Sequence, residues 1–261
     1  MINQKKETVI EYDKMAERYD LEERSEESVY PLRMYINSRE LMALNLIGDV
    51  KDEKVLDIGT GTGRFALRLA ERGAEAFGIE ISKKMLLIAK EKAKKYGLMN
   101  NLHLILGDAE NLPFRAEIFD KAMSMTVINH LPHPNKAIRE MSSVLKVNGI
   151  AVVSTPNIFS FRGIPYALRI LKERIFRIKT VKMCALKFTP WKLQLMHKNA
   201  GLKILRTQGV IWIPLPPKLN YKPKTIRMIQ RIEKFLDNFP LATMIAGTIT
   251  VKSIKRSVGV Y

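Results

Sequence analysis

Three glycines at alternate positions, Gly59, Gly61 and Gly63, follow a short apolar run that ends in Asp57. The range 64–72 is amphipathic, so the segment predicts a strand, a tight turn and then a helix. Glycine permits such a turn and lets a ligand lie against bare backbone. Because the first turn of a helix leaves N–H groups unpaired, the segment is predicted to hold polar atoms of a bound ligand.

The spacing of these glycines separates two classes of cofactor site. The dinucleotide turn Gly-x-Gly-x-x-Gly needs glycine where this chain has Arg64, and here the third glycine comes one residue early. Glu80 ends the next apolar run, and an acid there can accept hydrogen bonds from both hydroxyls of a ribose. Asp-x-Gly-x-Gly-x-Gly with this later acid resembles the Rossmann-like methyltransferases that use S-adenosylmethionine, and among them the ubiquinone- and menaquinone-biosynthesis group. A glycine turn of an unrelated α/β protein is the alternative.

The resemblance implies a role for each part of this pattern. The glycines approach the methionine part of the cofactor, and Asp57 orients their loop. Glu80 accepts hydrogen bonds from the ribose, and Asp108 binds the adenine. Tyr19 belongs to a helix that covers the cofactor, where it either closes over the ligand or only docks the helix. Asp108 has the alternative of a plain Asx turn. The implied cofactor-binding set is Tyr19, Asp57, Gly59, Thr60, Gly61, Gly63, Glu80, Ile81, Asp108, Ala109, Met125 and Thr126.

His130 is the candidate general base, because it is the only histidine near the position expected for the transferable methyl group. The alternative is a histidine that only packs or caps the following helix. The resembling family often has glutamate before this histidine, whereas this chain has Asn129. The single cysteine, Cys184, excludes internal disulfides and cysteine-built metal sites, and no metal is expected.

Strands alternating with helices predict an α/β fold. The resemblance implies a seven-stranded Rossmann-like sheet in the order 3-2-1-4-5-7-6, its last strand antiparallel, with helices on both faces and an inserted helical cap. We expect N-terminal helices over the cofactor site in 1–48, a cofactor-binding core in 49–157, a basic amphipathic insert in 158–188, and the acceptor-side end of the sheet in 189–261. Local patterns predict an acidic connector at 22–27, a helix over 134–146, an Asn-Gly turn into a strand over 150–154, and a last strand over 244–254.

The formal net charge of +18 is concentrated in the C-terminal part of the chain. Residues 1–150 hold 23 basic and 23 acidic residues, whereas residues 151–261 hold 21 basic and three acidic ones. The excess indicates an anionic partner, either nucleic acid, a membrane surface or an acidic small molecule, or else a solvated basic surface. The N-terminus lacks the apolar core of a signal peptide, and no apolar run reaches the roughly 18 residues of a membrane span, so a cytoplasmic location is expected.

These observations predict an S-adenosylmethionine-dependent methyltransferase with a small hydrophobic or lipid-like acceptor, in which O-methylation is favoured. The stripe in 164–178 and the loop 211–219 would receive the acceptor, and the basic residues would give peripheral contact with anionic membrane. One alternative is a tRNA or other RNA methyltransferase that binds phosphate groups through its basic C-terminal part, residues 151–261. A further alternative is a non-catalytic cofactor-binding regulator. The chain lacks the Pro-Cys of 5-methylcytosine enzymes, since Cys184 follows Met183.

Overall fold

The computed structural model describes residues 2–24, 30–160, 188–210 and 242–257, together with positions 164, 228, 231 and 232. The helices among them are α1 (Ile2–Arg24), α2 (Tyr30–Ile47), α3 (Arg64–Glu71), α4 (Lys83–Lys95), α5 (Pro134–Val144), α6 (Pro190–Asn199) and α7 (Ala242–Ile245), with a 3-10 turn at Ile128–His130. The strands are β1 (Lys54–Ile58), β2 (Glu75–Glu80), β3 (Leu102–Leu106), β4 (Phe119–Met125), β5 (Leu145–Pro156), β6 (Leu202–Val210) and β7 (Thr248–Lys255).

The seven strands form one sheet in the order β3-β2-β1-β4-β5-β7-β6, which confirms the predicted fold class. The first five are mutually parallel, and β7 pairs antiparallel with both β5 and β6. The chain order reverses between β1 and β4, and in open parallel sheets ligands bind at the carboxyl ends of the strands at such a point.

Alternation along the strands buries both faces of the sheet. In β1, Leu56 packs into one apolar cluster with Ile138 and Met141 of α5, whereas Val55 packs into a second cluster with Ile47 of α2. Successive strand side chains point to opposite faces, so an uninterrupted apolar run is what a strand covered on both sides requires. The central strands are therefore firmly positioned, and their carboxyl ends can hold a site.

The turn between α5 and β5 differs from the prediction. The helix ends at Val144 and the strand begins at Leu145, whereas a helix to residue 146 and a strand from residue 150 were predicted. Asn148 does adopt a left-handed conformation (φ 65°), but the chain stays paired with β4 on both sides of it across a register shift. The Asn-Gly pair is thus an irregularity inside a long strand, because β4 supplies hydrogen-bond partners beyond it.

The last strand was also predicted to begin too early. Residues 242–245 form the short helix α7, and β7 starts at Thr248. The Asn157 side chain donates to the Met244 carbonyl oxygen at 2.7 Å. This bond satisfies a carbonyl group at the end of α7, which in a strand would have bonded to a neighbouring strand.

Helix α1 continues to Arg24, so the first residues of the predicted connector 22–27 are helical, and its residues 25–27 lie outside the described residues. The predicted stripe in 164–178, apart from position 164, and the loop 211–219 lie outside the described residues. Across the part of the chain that the structure describes, no helix combines the length and apolarity needed to cross a bilayer.

Candidate active site

The glycine loop lies at the carboxyl end of β1, fixed against β2. The backbone N–H groups of Gly59 and Thr60 both donate to the Ile79 carbonyl oxygen, at 2.8 and 3.0 Å. Gly59, Gly61 and Gly63 all have left-handed φ values, between 57° and 86°, which only glycine adopts without strain. A Cβ atom on Gly59 would lie 2.4 Å from a methyl carbon of Val127, so the turn also depends on the absence of a side chain.

Asp57 stabilises this loop from beneath and does not line the cavity. Its carboxylate is 1% exposed and accepts a 2.7 Å hydrogen bond from the Thr60 hydroxyl. Gly63 also lies behind the loop, where an added Cβ would stand 2.9 Å from the Cβ of Ala89 in α4. These three residues therefore shape the loop and are not among the residues that line the cavity.

Glu80, at the end of β2, is the buried acid of the site. Its carboxylate accepts hydrogen bonds from the backbone N–H groups of Gly61, Ile81 and Ser82, at 3.0, 2.8 and 3.0 Å. Burial raises the pKa of Glu80 above its usual value, against the opposing effect of these three donors. A carboxylate has about four lone-pair sites, so acceptor capacity remains for hydroxyl groups in the cavity.

Asp108, just beyond β3, lies in a polar cluster. Its carboxylate accepts from the Glu110 backbone N–H at 2.8 Å, from the Asn111 amide at 3.0 Å and from the Lys5 ammonium at 2.6 Å. Burial acts to raise the pKa of Asp108, but these donors, Lys5 foremost, hold it below its usual value. Lys5 also pairs with the buried Glu110 carboxylate, so α1 is fastened to this end of the site.

Helix α1 is fastened to the core at two further points. The Asp13 carboxylate accepts a 2.5 Å hydrogen bond from the Ser82 hydroxyl, which itself caps α4. Near the end of the helix, Asp20 pairs with Lys92, and Lys92 in turn donates to the carbonyl and hydroxyl oxygens of Thr62. Helix and glycine loop are thereby joined through one buried lysine.

The segment after β4 also lines the cavity. Thr126 has a left-handed φ of 60°, which is strained for a β-branched residue. The backbone N–H of Thr126 donates to Ser154, and its hydroxyl accepts from the Arg39 guanidinium of α2 at 3.1 Å. The strained turn places Asn129 and His130 at the cavity wall.

His130 is packed edge-on against Tyr12 of α1, with ring centroids 5.9 Å apart. Burial lowers the pKa of His130, so its imidazole is neutral near pH 7 and able to accept a proton. Burial also raises the pKa of Tyr12, together with the charges of Glu80 and Glu11, so the phenol stays protonated.

Together these segments enclose a cavity of about 360 Å³. The predicted site residues that line it are Tyr19, Gly59, Gly61, Glu80, Ile81, Asp108, Ala109, Met125, Thr126 and His130. The rim includes Pro156, and next to it Asn157 bridges to Phe188, so both ends of the predicted insert 158–188 meet beside the cavity.

Lys5, Thr8 and Arg39 also line the cavity and were not predicted. No motif marks them, since each lies on a helix distant in sequence from the strand ends that it reaches. The only signal in the sequence is that Arg39 is a charged residue on an otherwise apolar face of α2.

The sheet order, the glycine loop and the two acids at successive strand ends define a class I S-adenosylmethionine-dependent methyltransferase. The chain matches the model of a methyltransferase domain family over residues 49–209, and it belongs to that family. S-Adenosyl-L-methionine is accordingly its cofactor.

Among curated proteins, the chain is 29% identical over 170 residues to a ubiquinone biosynthesis O-methyltransferase of Azoarcus sp. (strain BH72), covering 62% of this chain and 70% of that one. It is 34% identical over 145 residues to a ubiquinone/menaquinone biosynthesis C-methyltransferase of Rhizobium meliloti (strain 1021), covering 54% of this chain and 55% of that one. The solved magnesium protoporphyrin IX methyltransferase of Synechocystis PCC 6803 shares the fold, with a TM-score of 0.66, 15% identity, and coverage of 97% and 99%.

Proposed function

We propose that the protein transfers the methyl group of S-adenosylmethionine to an oxygen of a small, hydrophobic or lipid-like acceptor at a membrane surface. The observation that carries this proposal is one cavity that is lined both by the cofactor-type acids Glu80 and Asp108 and by Asn129, His130 and Arg39. The ubiquinone-biosynthesis relatives support a small hydrophobic acceptor, and one of them is named as an O-methyltransferase.

The residues divide between holding the donor and receiving the acceptor. Glu80 would accept hydrogen bonds from the ribose hydroxyls and Asp108 from the adenine amino group. Arg39 is the cation nearest the strained turn at Thr126, so it suits the carboxylate of the methionine part. This arrangement would place the sulfonium and its methyl group between the glycine loop and His130.

The transfer step needs orientation more than chemical activation. A lone pair of the acceptor oxygen forms a bond to the methyl carbon while the S–CH3 electron pair returns to sulfur, leaving S-adenosylhomocysteine. His130 takes the hydroxyl proton, since burial keeps its imidazole neutral. Alignment can lower the barrier by about 7–11 kcal/mol, and the base can add roughly 10²–10⁴-fold.

Membrane contact is supported by an exposed apolar patch that we call the α6 patch, formed by Phe159, Trp191 and Leu195. Trp191 and Leu195 are 52% and 55% exposed, and the Phe159 and Trp191 rings lie 5.4 Å apart. Lys192 adjoins them, and the whole segment 151–261 is strongly basic. Interfacial aromatic residues with flanking lysines suit an anionic lipid surface.

The test combines calorimetry, methyl transfer and vesicle flotation. We expect S-adenosylhomocysteine to bind and NAD not to bind, and radiolabelled methyl to enter a lipid extract in preference to total RNA. The protein should float with phosphatidylglycerol vesicles but not with phosphatidylcholine vesicles. Trp191→Ser should reduce flotation, whereas Leu205→Ser, which removes an exposed apolar side chain from β6, should not. Tight, salt-dependent tRNA binding with methyl transfer to RNA would instead establish the RNA alternative.

A further inference from the structure

Asn129 is a buried polar residue that the donor-binding arrangement does not use. It belongs to the 3-10 turn after β4, is 5% exposed and lines the cavity beside His130. Its Oδ1 atom is shielded from solvent and has no hydrogen-bond partner among the residues that the structure describes. A buried amide left in this state is unfavourable, so a ligand group is the natural partner for it.

The Asn129 amide can either donate a hydrogen bond to a ligand or accept one from it. Rotation by half a turn about the Cβ–Cγ bond exchanges its oxygen and its NH2 group, and no described protein group holds Oδ1 in place. Asn129 can therefore accept from a hydroxyl proton or donate to an oxygen lone pair. Both are properties of a hydroxyl group, which carries one donor and two acceptor sites.

The cavity lining offers no unengaged carboxylate among its described residues. Among the described residues, the only acids of the lining are Glu80 and Asp108, and both carboxylates already accept from backbone N–H groups, that of Asp108 also from Lys5. The other charged or titratable groups of the described lining are Lys5, Tyr12, Tyr19, Arg39 and His130. A bound donor would add its carboxylate, which Arg39 would hold, and its sulfonium, whose positive charge no unengaged carboxylate of the described lining would balance.

We propose that Asn129 is a specificity-determining residue whose amide hydrogen-bonds the hydroxyl group of an uncharged acceptor beside His130, so that the cavity rejects acceptors that enter as ammonium ions. The inference rests on the proposed function and names the substrate class. An aliphatic amine is protonated near pH 7, lacks the lone pair needed for attack, and would face the sulfonium with no unengaged carboxylate of the lining to balance it. A hydroxyl group has its lone pair available and can satisfy the amide.

The experiment measures probe binding by ligand-observed NMR titration to the protein saturated with sinefungin, a donor analogue whose ammonium group supplies a positive charge near the position of the sulfonium. The probes are 4-methylphenol, the 4-methylbenzylammonium ion and toluene, which share one ring. We expect the phenol to bind about tenfold more tightly than either other probe, the ratio typical of a satisfied buried hydrogen bond. Asn129→Leu should remove the advantage over toluene, and Asn129→Asp should shift the preference toward the ammonium ion. Asn100→Leu, at an exposed asparagine, is the matched control and should change neither ratio.

The proposal is overturned if the unchanged protein binds the ammonium ion as tightly as the phenol, or if the phenol fails to bind. It is equally overturned if Asn129→Leu keeps the full preference for the phenol. Calorimetry with S-adenosylhomocysteine on every variant separates these outcomes from failure of the proposed function. Loss of that binding in the unchanged protein defeats the methyltransferase assignment itself, whereas retained binding confines the failure to Asn129.

Discussion

Replacing Gly59 with alanine tests the close approach between the glycine loop and the segment after β4. The new Cβ would stand 2.4 and 2.7 Å from the two methyl carbons of Val127, and valine cannot swing aside because its χ1 angle is restricted. Overpacking of this kind costs about 1–3 kcal/mol. The left-handed φ of 73° adds about 1–2 kcal/mol for any residue with a Cβ. We expect the free energy of unfolding to fall by roughly the total of these two effects.

Two further variants separate the steric effect from the conformational one. Gly97 has a similar φ of 69° but nothing within 4 Å of an added Cβ, so Gly97→Ala should show the conformational cost alone. Val127→Ala in the Gly59→Ala background should recover the steric part and leave the conformational part. Urea denaturation gives the unfolding free energies, and calorimetry gives the affinity for S-adenosylhomocysteine.

The expected pattern is a larger loss for Gly59→Ala than for Gly97→Ala, partial rescue by Val127→Ala, and loss of cofactor binding only in variants that carry the Gly59 change. Equal destabilisation by the two glycine substitutions would show that the contact with Val127 does not limit the turn. Unchanged cofactor affinity in Gly59→Ala would show that the loop is not the binding loop.

Three other changes probe the site and the core. Glu80→Gln sets an amide NH2 against backbone N–H donors, and we expect S-adenosylhomocysteine binding to weaken about 10- to 100-fold by calorimetry. Lys92→Met removes the buried ammonium that pairs with Asp20 and donates to Thr62, and the unfolding free energy from urea denaturation should fall by about 3–5 kcal/mol. Burial lowers the pKa of His197 from 6.5 to about 4. Because only the unfolded chain takes up this proton in that interval, stability should fall as the pH drops below 6.5, by about 3 kcal/mol in all at pH 4.

Each of these changes has a matched control among residues of the same type. Glu75→Gln, on the same strand but 41% exposed, should leave cofactor binding unchanged. Lys90→Met, on the exposed face of α4, should have little effect on stability. His197→Asn should flatten the pH dependence between 6.5 and 4, whereas His103→Gln on the sheet edge should retain it. An equally steep dependence in His197→Asn would assign the effect to other groups.

The errors in the predicted element boundaries share a physical cause. Leu145 pairs with Phe119 of β4, so backbone hydrogen bonding extends β5 past the Asn-Gly pair that local preferences mark as a turn. Near the other end of the chain, the Asn157 amide donates to carbonyl oxygens of α7. The apolar residues of α7 therefore form a helical turn, where a strand was predicted. In both places, partners distant in sequence outweigh local propensity.

The sequence by itself determined the alternation of strands and helices, the glycine loop and the two acids that follow strands, because these depend on neighbouring residues and on periodicity. The order of the strands was implied by the family resemblance. Asp57, the glycines and Glu80 lie at ends of apolar runs, and the ends of parallel strands meet at one edge of a sheet. Only the tertiary structure decided what faces these groups across the cavity. Lys5 reaches Asp108 over 103 positions of the chain and Arg39 reaches Thr126 over 87. Contacts of that kind depend on how whole helices pack against the sheet, which no local pattern encodes.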